Sequence, residues 1–269
     1  MTSGAGDELV GELSNVPDAA RPMPPALPGT VATRTQAEDL FESLASDLLS
    51  HAFNCVREFG DFHLALSGGQ TPFPLYRLLM IDPRWRGFPW RRTHLWVVDE
   101  RRVPFTAPQS NWRQIEELIV EHADIPRDQA HPIEATVPDA AARYEAKLRE
   151  TLAWREKGHD RLDFVLLGMG DNGHTASLFP HTAVLHERER LVADCDGPTV
   201  TPPPRVTMTY PLINGARFIA VLVAGAAKAS MLKRVAAGKD TFEELPIMGI
   251  KPIGGELRWY LDGPACGNA

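Results

Sequence analysis

The chain has little cysteine. Three residues in 269, Cys55, Cys195 and Cys266, are widely spaced and form no Cys-x-x-Cys pair. This usage offers neither a zinc site nor a disulfide framework, and it suits a reducing cytoplasm. The chain also lacks a His-Glu-x-x-His pattern, and the spacing of His174 and His181 is not that of metal ligands. We therefore expect no metal.

Long hydrophobic runs and an excess of basic residues are missing as well. Apolar runs such as residues 218–223 are far too short to span a bilayer, and the first residues lack the basic and apolar regions of a secretory signal. The net charge of −7 argues against nucleic acid or an anionic membrane as a general partner. We expect a cytoplasmic protein. To bind a phosphorylated metabolite, such an acidic protein must gather a few cations locally.

The order of apolar runs and helical patterns predicts an α/β fold. Strands that alternate with helices, joined by short glycine-bearing turns, form a mostly parallel, Rossmann-like sheet with helices on both faces. Strands are predicted at residues 63–67, 94–99, 162–167, 217–225 and 257–262. Helices are predicted at 33–59, from 72 onward, and at 111–121, 138–157 and 226–237. We expect one domain over residues 31–263, between a flexible proline-rich extension (1–30) and a short tail (264–269).

Four of the predicted strands end in polar or glycine-rich segments. Ligands bind beyond the carboxyl ends of the strands in such sheets, so these segments predict one shared site. The four segments are Ser67-Gly68-Gly69, Asp99-Glu100-Arg101, Gly168 to His174, and Gly225 to Lys228.

The glycine turn after the first strand has two interpretations. Gly68, Gly69 and Gln70 lead into a helix with Thr71 as its cap and Pro72 at its first position. Free N–H groups at a helix N-terminus bind anions. The alternative is a simple tight turn between a strand and a helix.

The charged segment after the second predicted strand also has more than one interpretation. Asp99 and Glu100 could do acid–base work, or they could orient Arg101 by ion pairing. A solvated charged surface is the alternative. Asn111, which follows, is either a helix cap or a polar site residue.

Two cations later in the chain are candidates for binding an anion. Lys228 lies one turn into a predicted helix, where the helix dipole disfavours a cation unless an anion is near. Its alternative role is to cover apolar surface with its stem. Arg205 ends a predicted surface loop, residues 197–205, and is either a second anion-binding group or an ordinary loop residue.

The segment 162–180, LDFVLLGMGDNGHTASLFP, also spells Gly-x-Gly-x-x-Gly. A dinucleotide site is supported by the preceding strand and by Asp194, about twenty residues further on. Two residues count against it. Pro180 would end the following helix after about two turns, and His174 in the first turn adds nothing to pyrophosphate binding.

An acid–base role is the other interpretation of the same segment. An imidazole at a strand end suits proton transfer, because its unperturbed pKa lies near neutrality. No Gly-x-Ser-x-Gly elbow is present, so a serine nucleophile lacks its usual signature.

Five segments, taken in order, resemble the 6-phosphogluconolactonase family. They are SGGQTP (67–72), WVVDERRVPF with SNW (96–112), LGMGDNGHTASLFP (167–180), RVTMTYPLIN (205–214) and AGAAKA (224–229). The resemblance runs from about Arg34 to Asp262. The glucosamine-6-phosphate isomerases and deaminases of the same superfamily share part of it, but the DERR…SNW block and the TASLFP segment favour the lactonases.

The resemblance implies a three-layer αβα fold, no metal or organic cofactor, and hydrolysis of 6-phospho-D-glucono-1,5-lactone to 6-phosphogluconate in the pentose phosphate pathway. It implies that His174 is the general base that deprotonates water. It further implies backbone donors at Gly68, Gly69 and Gln70, a phosphate site at Arg101, Arg205 and Lys228, and site-shaping roles for Asp99 and Asn111.

One departure from the family pattern keeps other functions open. The family usually has aspartate two residues before the histidine, where this chain has Asn172 beside Asp171. Asp171 would replace that carboxylate only if the loop shifted by one residue. A non-catalytic phosphosugar-binding protein and a sugar-phosphate isomerase or deaminase therefore remain alternatives. The chain itself is expected as a monomer or a small homo-oligomer.

Overall fold

Ten strands form two sheets in the computed structural model, which describes residues 22–200 and 203–267. In chain order they are β1 (Thr30–Arg34), β2 (Phe62–Leu66), β3 (Thr93–Val97), β4 (Asp99–Arg101), β5 (Ala130–His131), β6 (Phe164–Gly168), β7 (Val192–Cys195), β8 (Arg205–Met208), β9 (Phe218–Val223) and β10 (Glu256–Asp262). The main sheet has the order β1-β10-β9-β6-β2-β3-β5, and all its pairs are parallel. The predicted parallel α/β sheet is confirmed.

Six α-helices lie in the described ranges. They are α1 (Ala37–Phe59), α2 (Phe73–Ile81), α3 (Asn111–Ile115, continued by a π-helical turn at Glu116–Val120), α4 (Ala140–Leu152), α5 (Tyr210–Gly215) and α6 (Ala229–Ala237). The long helix α1 follows from its pattern, because Leu40, Leu44 and Leu48 recur every four residues and are buried. No helix in this part of the chain is long and apolar enough for a membrane crossing.

The strand order locates a reversal between β2 and β6. The chain moves one way from β1 through β2 and β3 to β5, then returns through β6, β9 and β10. Right-handed crossovers therefore put α1 to α3 on one face of the sheet and α4 and α6 on the other. Ligands of such sheets bind beyond the strand ends at the point of reversal, which here is formed by the segments after β2 and β6.

The smaller sheet was not expected from the sequence. It is antiparallel, in the order β4-β8-β7, and Arg101 lies opposite Arg205. Asp99 thus begins a new strand rather than ending the second one, and Arg205 begins β8 rather than ending a loop. Strands of three or four residues are too short to show a period of two in the sequence.

Other predicted boundaries also change. Helix α1 begins at Ala37, because Thr33 and Arg34 belong to β1, which pairs with β10 at the sheet edge. Residues 1–21 and 268–269 of the predicted extension and tail lie outside the described ranges. Just before β1, the carbonyl of Pro28 accepts a hydrogen bond from the Trp259 indole, and Ala265 beyond β10 is buried.

The segment after β6 is not a helix. Gly173 has φ +77°, and Thr175 and Leu178 form an isolated antiparallel bridge. The N–H of Gly170 donates to the carbonyl of His174 at 2.8 Å, which closes a compact loop. The predicted first helical turn at His174 is therefore wrong, since backbone bonds inside the loop replace those of a helix.

A buried ion network connects the residues that precede the two central strands, β2 and β6. Arg155, whose side chain is 1% exposed, binds Asp61 before β2 and Asp163 before β6. The Asp163 carboxylate also accepts from the N–H of His63 at 2.7 Å and from Arg217 at 3.0 Å. This network lies at the strand starts, away from the polar strand ends.

Candidate active site

A pocket of about 180 Å³ lies where β2, β4 and β6 meet their following loops. It brings together six of the predicted site residues, namely Gly68, Gly69, Asp99, Arg101, Asn111 and His174. Its remaining lining residues are Ser67, Gly168, Met169, Gly170, Thr175 and Ala176. Four other predicted residues, Gln70, Asn172, Arg205 and Lys228, do not line it.

The hydrogen bonds around His174 determine which ring nitrogen carries the proton. The Asn172 Oδ1 atom accepts from the backbone N–H of His174 at 3.2 Å, which identifies that atom as the amide oxygen. The same oxygen lies 2.6 Å from His174 Nδ1. Because an amide oxygen only accepts, Nδ1 must carry the proton. Nε2 is then left with its lone pair and has no hydrogen-bond partner in the described part of the chain.

The environment of the imidazole favours its neutral form. Burial lowers the pKa of His174, the Asp99 carboxylate raises it, and Lys228 and Arg205 lower it again, so the net direction is down. The ring also stacks on Phe179, with centroids 4.4 Å apart and planes at 21°. A lowered pKa keeps His174 unprotonated at neutral pH, as a base requires.

The glycines of the segment serve the histidine and the loop. A Cβ on Gly170 would lie 2.0 Å from the His174 ring, so this glycine makes room for the imidazole. Gly173 needs its positive φ and would meet Leu245. Gly68 similarly makes room for the Asn111 side chain, at 2.0 Å. In a dinucleotide fingerprint the glycines instead let the backbone approach the pyrophosphate. The contacts of these glycines therefore do not support a dinucleotide site.

Replacing Gly170 by alanine should therefore disable the site while the fold persists. The added methyl group would displace the imidazole from the pocket, and a displacement of about 1 Å is enough to reduce a catalytic rate about 100-fold. Circular dichroism and steady-state kinetics on the variant test this. Gly87→Ala is the matched control, because its Cβ would meet its nearest neighbour at an ordinary 3.8 Å. Equal activity in both variants would contradict the assigned role of Gly170.

Asp99 is held by a residue that the sequence analysis missed. Its Oδ2 accepts a hydrogen bond from the Ser177 hydroxyl at 2.5 Å, and the N–H of Ser177 donates to Thr207 on β8 at 3.1 Å. Ser177 is almost fully buried. Its place in TASLFP, three residues after the histidine, was the available signal, but only the tertiary fold pairs it with Asp99.

Glu100 is neither a solvated charge nor an ion-pair partner of Arg101. Its fully buried carboxylate accepts from the backbone N–H groups of Arg101, Asn111 and Trp112 at 2.7–2.8 Å, and from the Ser110 hydroxyl at 3.0 Å. Burial raises the pKa of Glu100 despite these bonds. The carboxylate thereby ties the start of α3 to β4.

Asn111 is a pocket residue rather than a helix cap. Ser110 caps α3, because its hydroxyl accepts from the N–H of Arg113. The Asn111 amide instead donates to the carbonyl of Asp99 at 2.8 Å.

The three predicted phosphate-binding cations lie in two places. Arg101 and Arg205 are opposite each other across the β4–β8 pair, where like charges are unfavourable without an anion. Burial lowers the pKa of Arg205, and Arg101 lowers it further. Lys228 ends a 3₁₀ turn and is the N-cap of α6, not one turn inside it. Its ammonium binds the carboxylate of Asp171, so Asp171 does not replace the missing aspartate beside His174.

A larger groove, of about 430 Å³, lies elsewhere and is lined in part by Arg188, Tyr210 and Phe242. Two of its polar side chains are already paired within the protein. The Tyr210 hydroxyl donates to the carbonyl of Pro246 at 2.6 Å, and Arg188 donates to two carbonyls at 2.8 Å. It holds no predicted site residue, so the smaller pocket is the candidate site.

One group of side chains in residues 22–200 and 203–267 has the spacing of metal ligands: Asp61, His63 and His94. Its hydrogen bonds do not fit a metal. The Trp96 indole N–H donates to His63 Nδ1 at 3.1 Å, so the His63 proton is on Nε2, which donates to Asp61. A metal on Nε2 would force that proton to Nδ1, against the indole N–H. Arg155 on Asp61 also repels a cation.

Comparison with known proteins identifies the relationship. Residues 35–259 match the family model described as glucosamine-6-phosphate isomerases/6-phosphogluconolactonase. The chain belongs to this family. A 6-phosphogluconolactonase of Synechocystis is 41% identical over 219 residues, which cover 79% of this chain and 87% of that protein. A 6-phosphogluconolactonase structure from Trypanosoma cruzi superimposes with a TM-score of 0.78 at 26% identity, covering 91% of this chain and 98% of the other.

A larger protein contains a similar region. The human GDH/6PGL endoplasmic bifunctional protein is 39% identical over 230 residues, which cover 84% of this chain. The chain spans only 29% of the length of that relative. The similarity therefore concerns one part of a longer polypeptide.

Proposed function

We propose that this family member hydrolyses 6-phospho-D-glucono-1,5-lactone to 6-phosphogluconate, the step of the pentose phosphate pathway that its 6-phosphogluconolactonase relatives are named for. One observation carries the proposal. His174 has its proton on Nδ1, held by Asn172 Oδ1, which leaves Nε2 unprotonated, and His174 lines a pocket together with Asp99 and Arg101.

The reaction needs only a base and donors for an oxyanion. Nε2 of His174 takes a proton from water as the water oxygen bonds to the lactone carbonyl carbon. The backbone N–H groups of Gly68, Gly69 and Gln70 make no hydrogen bond within the described residues, so they are available to the developing oxyanion. The ring C–O bond then breaks, and the leaving oxygen takes the proton back from the imidazolium. No covalent enzyme intermediate is required.

The cations around the pocket supply the phosphate site in this proposal. Arg101 and Arg205 offer paired guanidinium groups, which bind phosphate oxygens with good geometry. Lys228 supplies a further positive charge, which contributes to lowering the pKa of His174. Together they concentrate positive charge in a protein whose net charge is −7.

The direct test is lactone disappearance measured against the spontaneous rate, with the phosphorylated and unphosphorylated lactones side by side. A lactonase accelerates loss of the phosphorylated lactone. A rate equal to the background, together with binding of 6-phosphogluconate, would identify a non-catalytic phosphosugar-binding protein instead. Release of ammonia from glucosamine 6-phosphate would identify a deaminase.

Restoring the family carboxylate should strengthen the base. In Asn172→Asp the new charge lies beside Nδ1 and favours the imidazolium, so the pKa of His174 should rise by about one unit or more. The acid limb of the kcat/KM profile then moves to higher pH, and kcat at pH 8 increases about threefold or more. An unchanged acid limb would show that His174 is not the titrating base. Asn172→Ser, a smaller uncharged acceptor, is the control.

A further inference from the structure

The loop that carries His174 also supplies an anion to the proposed phosphate site. Asp171, three residues before the histidine, binds the Lys228 ammonium. The two side chains are unequally placed: Lys228 is 19% exposed and Asp171 is 86% exposed. The lysine side chain is thus largely enclosed by the protein, whereas the aspartate that pairs with it lies mostly in solvent.

The solvent exposure of Asp171 argues against a structural role for this pair. An ion pair with one partner so exposed contributes little to stability. The same ammonium is the group that a phosphate would bind in the proposed function, and in the free protein it is paired with a carboxylate. Lys228 lowers the pKa of Asp171, so this carboxylate carries its charge at neutral pH.

We propose that Asp171 is an internal competitor for the substrate phosphate, which occupies Lys228 in the free protein and must release it when a phosphorylated ligand binds. The inference rests on the proposed function, in which Lys228 belongs to the phosphate site. It assigns to Asp171 a role in setting affinity and selectivity, not a role in the chemical step.

Competition of this kind has a definite kinetic signature. It weakens binding of the phosphorylated lactone and of its product alike, because both carry the phosphate. Because the bound substrate and the transition state lose the same binding free energy, KM changes and kcat does not. An unphosphorylated lactone, which has no group for Lys228, is bound equally well with or without Asp171.

Asp171→Asn tests the proposal. We expect KM for 6-phospho-D-glucono-1,5-lactone and the inhibition constant of 6-phosphogluconate to fall about threefold to fivefold, the range that release of an exposed ion pair permits. We expect kcat, and KM for D-glucono-1,5-lactone, to stay within twofold of the wild type. A fall in KM for both lactones, or for neither, would overturn the proposal.

Two further variants separate competition for Lys228 from a general charge effect. In a Lys228→Met background, Asp171→Asn should leave KM unchanged, and a persisting fall would mean that Asp171 merely repels the phosphate. Asp124→Asn is the matched control, because Asp124 is 78% exposed and pairs with Arg91 before β3, at the other end of the sheet. An equal fall in KM in this control would also refute the role of Asp171.

Binding of inorganic phosphate, measured by calorimetry, keeps this test independent of catalysis. Asp171→Asn should bind phosphate about threefold to fivefold more tightly than the wild type. If the wild type does not accelerate lactone hydrolysis, the proposed function fails, yet this comparison still decides the role of Asp171. If the wild type is active and phosphate affinity is unchanged in the variant, the competitor role alone fails.

Discussion

His174→Ala should lose about 100-fold or more of kcat/KM for the phosphorylated lactone, the contribution that a positioned general base makes. The residual rate would approach spontaneous hydrolysis, since among residues 22–200 and 203–267 no other imidazole lines the pocket. Binding of 6-phosphogluconate should change little, because the proposed phosphate contacts remain. Initial rates corrected for the background, with product affinity from calorimetry, provide the measurement.

The pH profile of the wild type gives a second readout of the same group. The base acts only when neutral, so kcat/KM should fall as pH drops through the pKa of His174. Burial lowers that pKa, so the midpoint should lie below the ordinary histidine value of about 6.5. His122→Ala, which changes an exposed histidine outside the pocket, is the matched control. A variant at position 174 with wild-type kinetics would refute the mechanism.

Arg155→Met should cost about 3–5 kcal/mol of stability, because it leaves the carboxylates of Asp61 and Asp163 buried without their main cation. At about 2–4 °C per kcal/mol for a domain of this size, Tm should fall by about 10 °C. The network lies at the strand starts, so the activity of the folded variant at low temperature should be retained. Thermal unfolding and kinetics well below Tm test both statements.

The pH dependence of this loss of stability follows from the pKa of Asp61. Burial raises the pKa of Asp61, but hydrogen bonds from His63 and Arg155 outweigh burial and lower it overall. Its contribution to stability is therefore present above the unfolded-state pKa and is lost as pH falls through the folded-state pKa. The difference in Tm between wild type and variant should narrow in acid. Arg91→Met, which breaks an exposed pair, should leave Tm unchanged.

Residues of the candidate site could be predicted where a single segment contains both a strand end and a recognisable motif. Gly68, Gly69 and His174 lie at strand ends beside glycine, and parallel strands bring such ends to one edge of the sheet. Ser177 could not be found this way, because its bond to Asp99 joins residues 78 positions apart. The role of Glu100 could not be predicted either, because the sequence does not distinguish a buried carboxylate that accepts hydrogen bonds from a solvated one.

The amino-acid sequence was sufficient to predict the parallel α/β sheet, the ends of β2 and β6 that line the pocket, and the family to which the chain belongs. These depend on apolar periodicity and on short motifs, which are local. The folded structure was needed to show that Asn172 holds the His174 proton on Nδ1 and that Asp171 pairs with Lys228 instead of the histidine. A loop bent by Gly173 and closed by its own backbone bonds sends neighbouring side chains in different directions, and no spacing rule specifies that geometry.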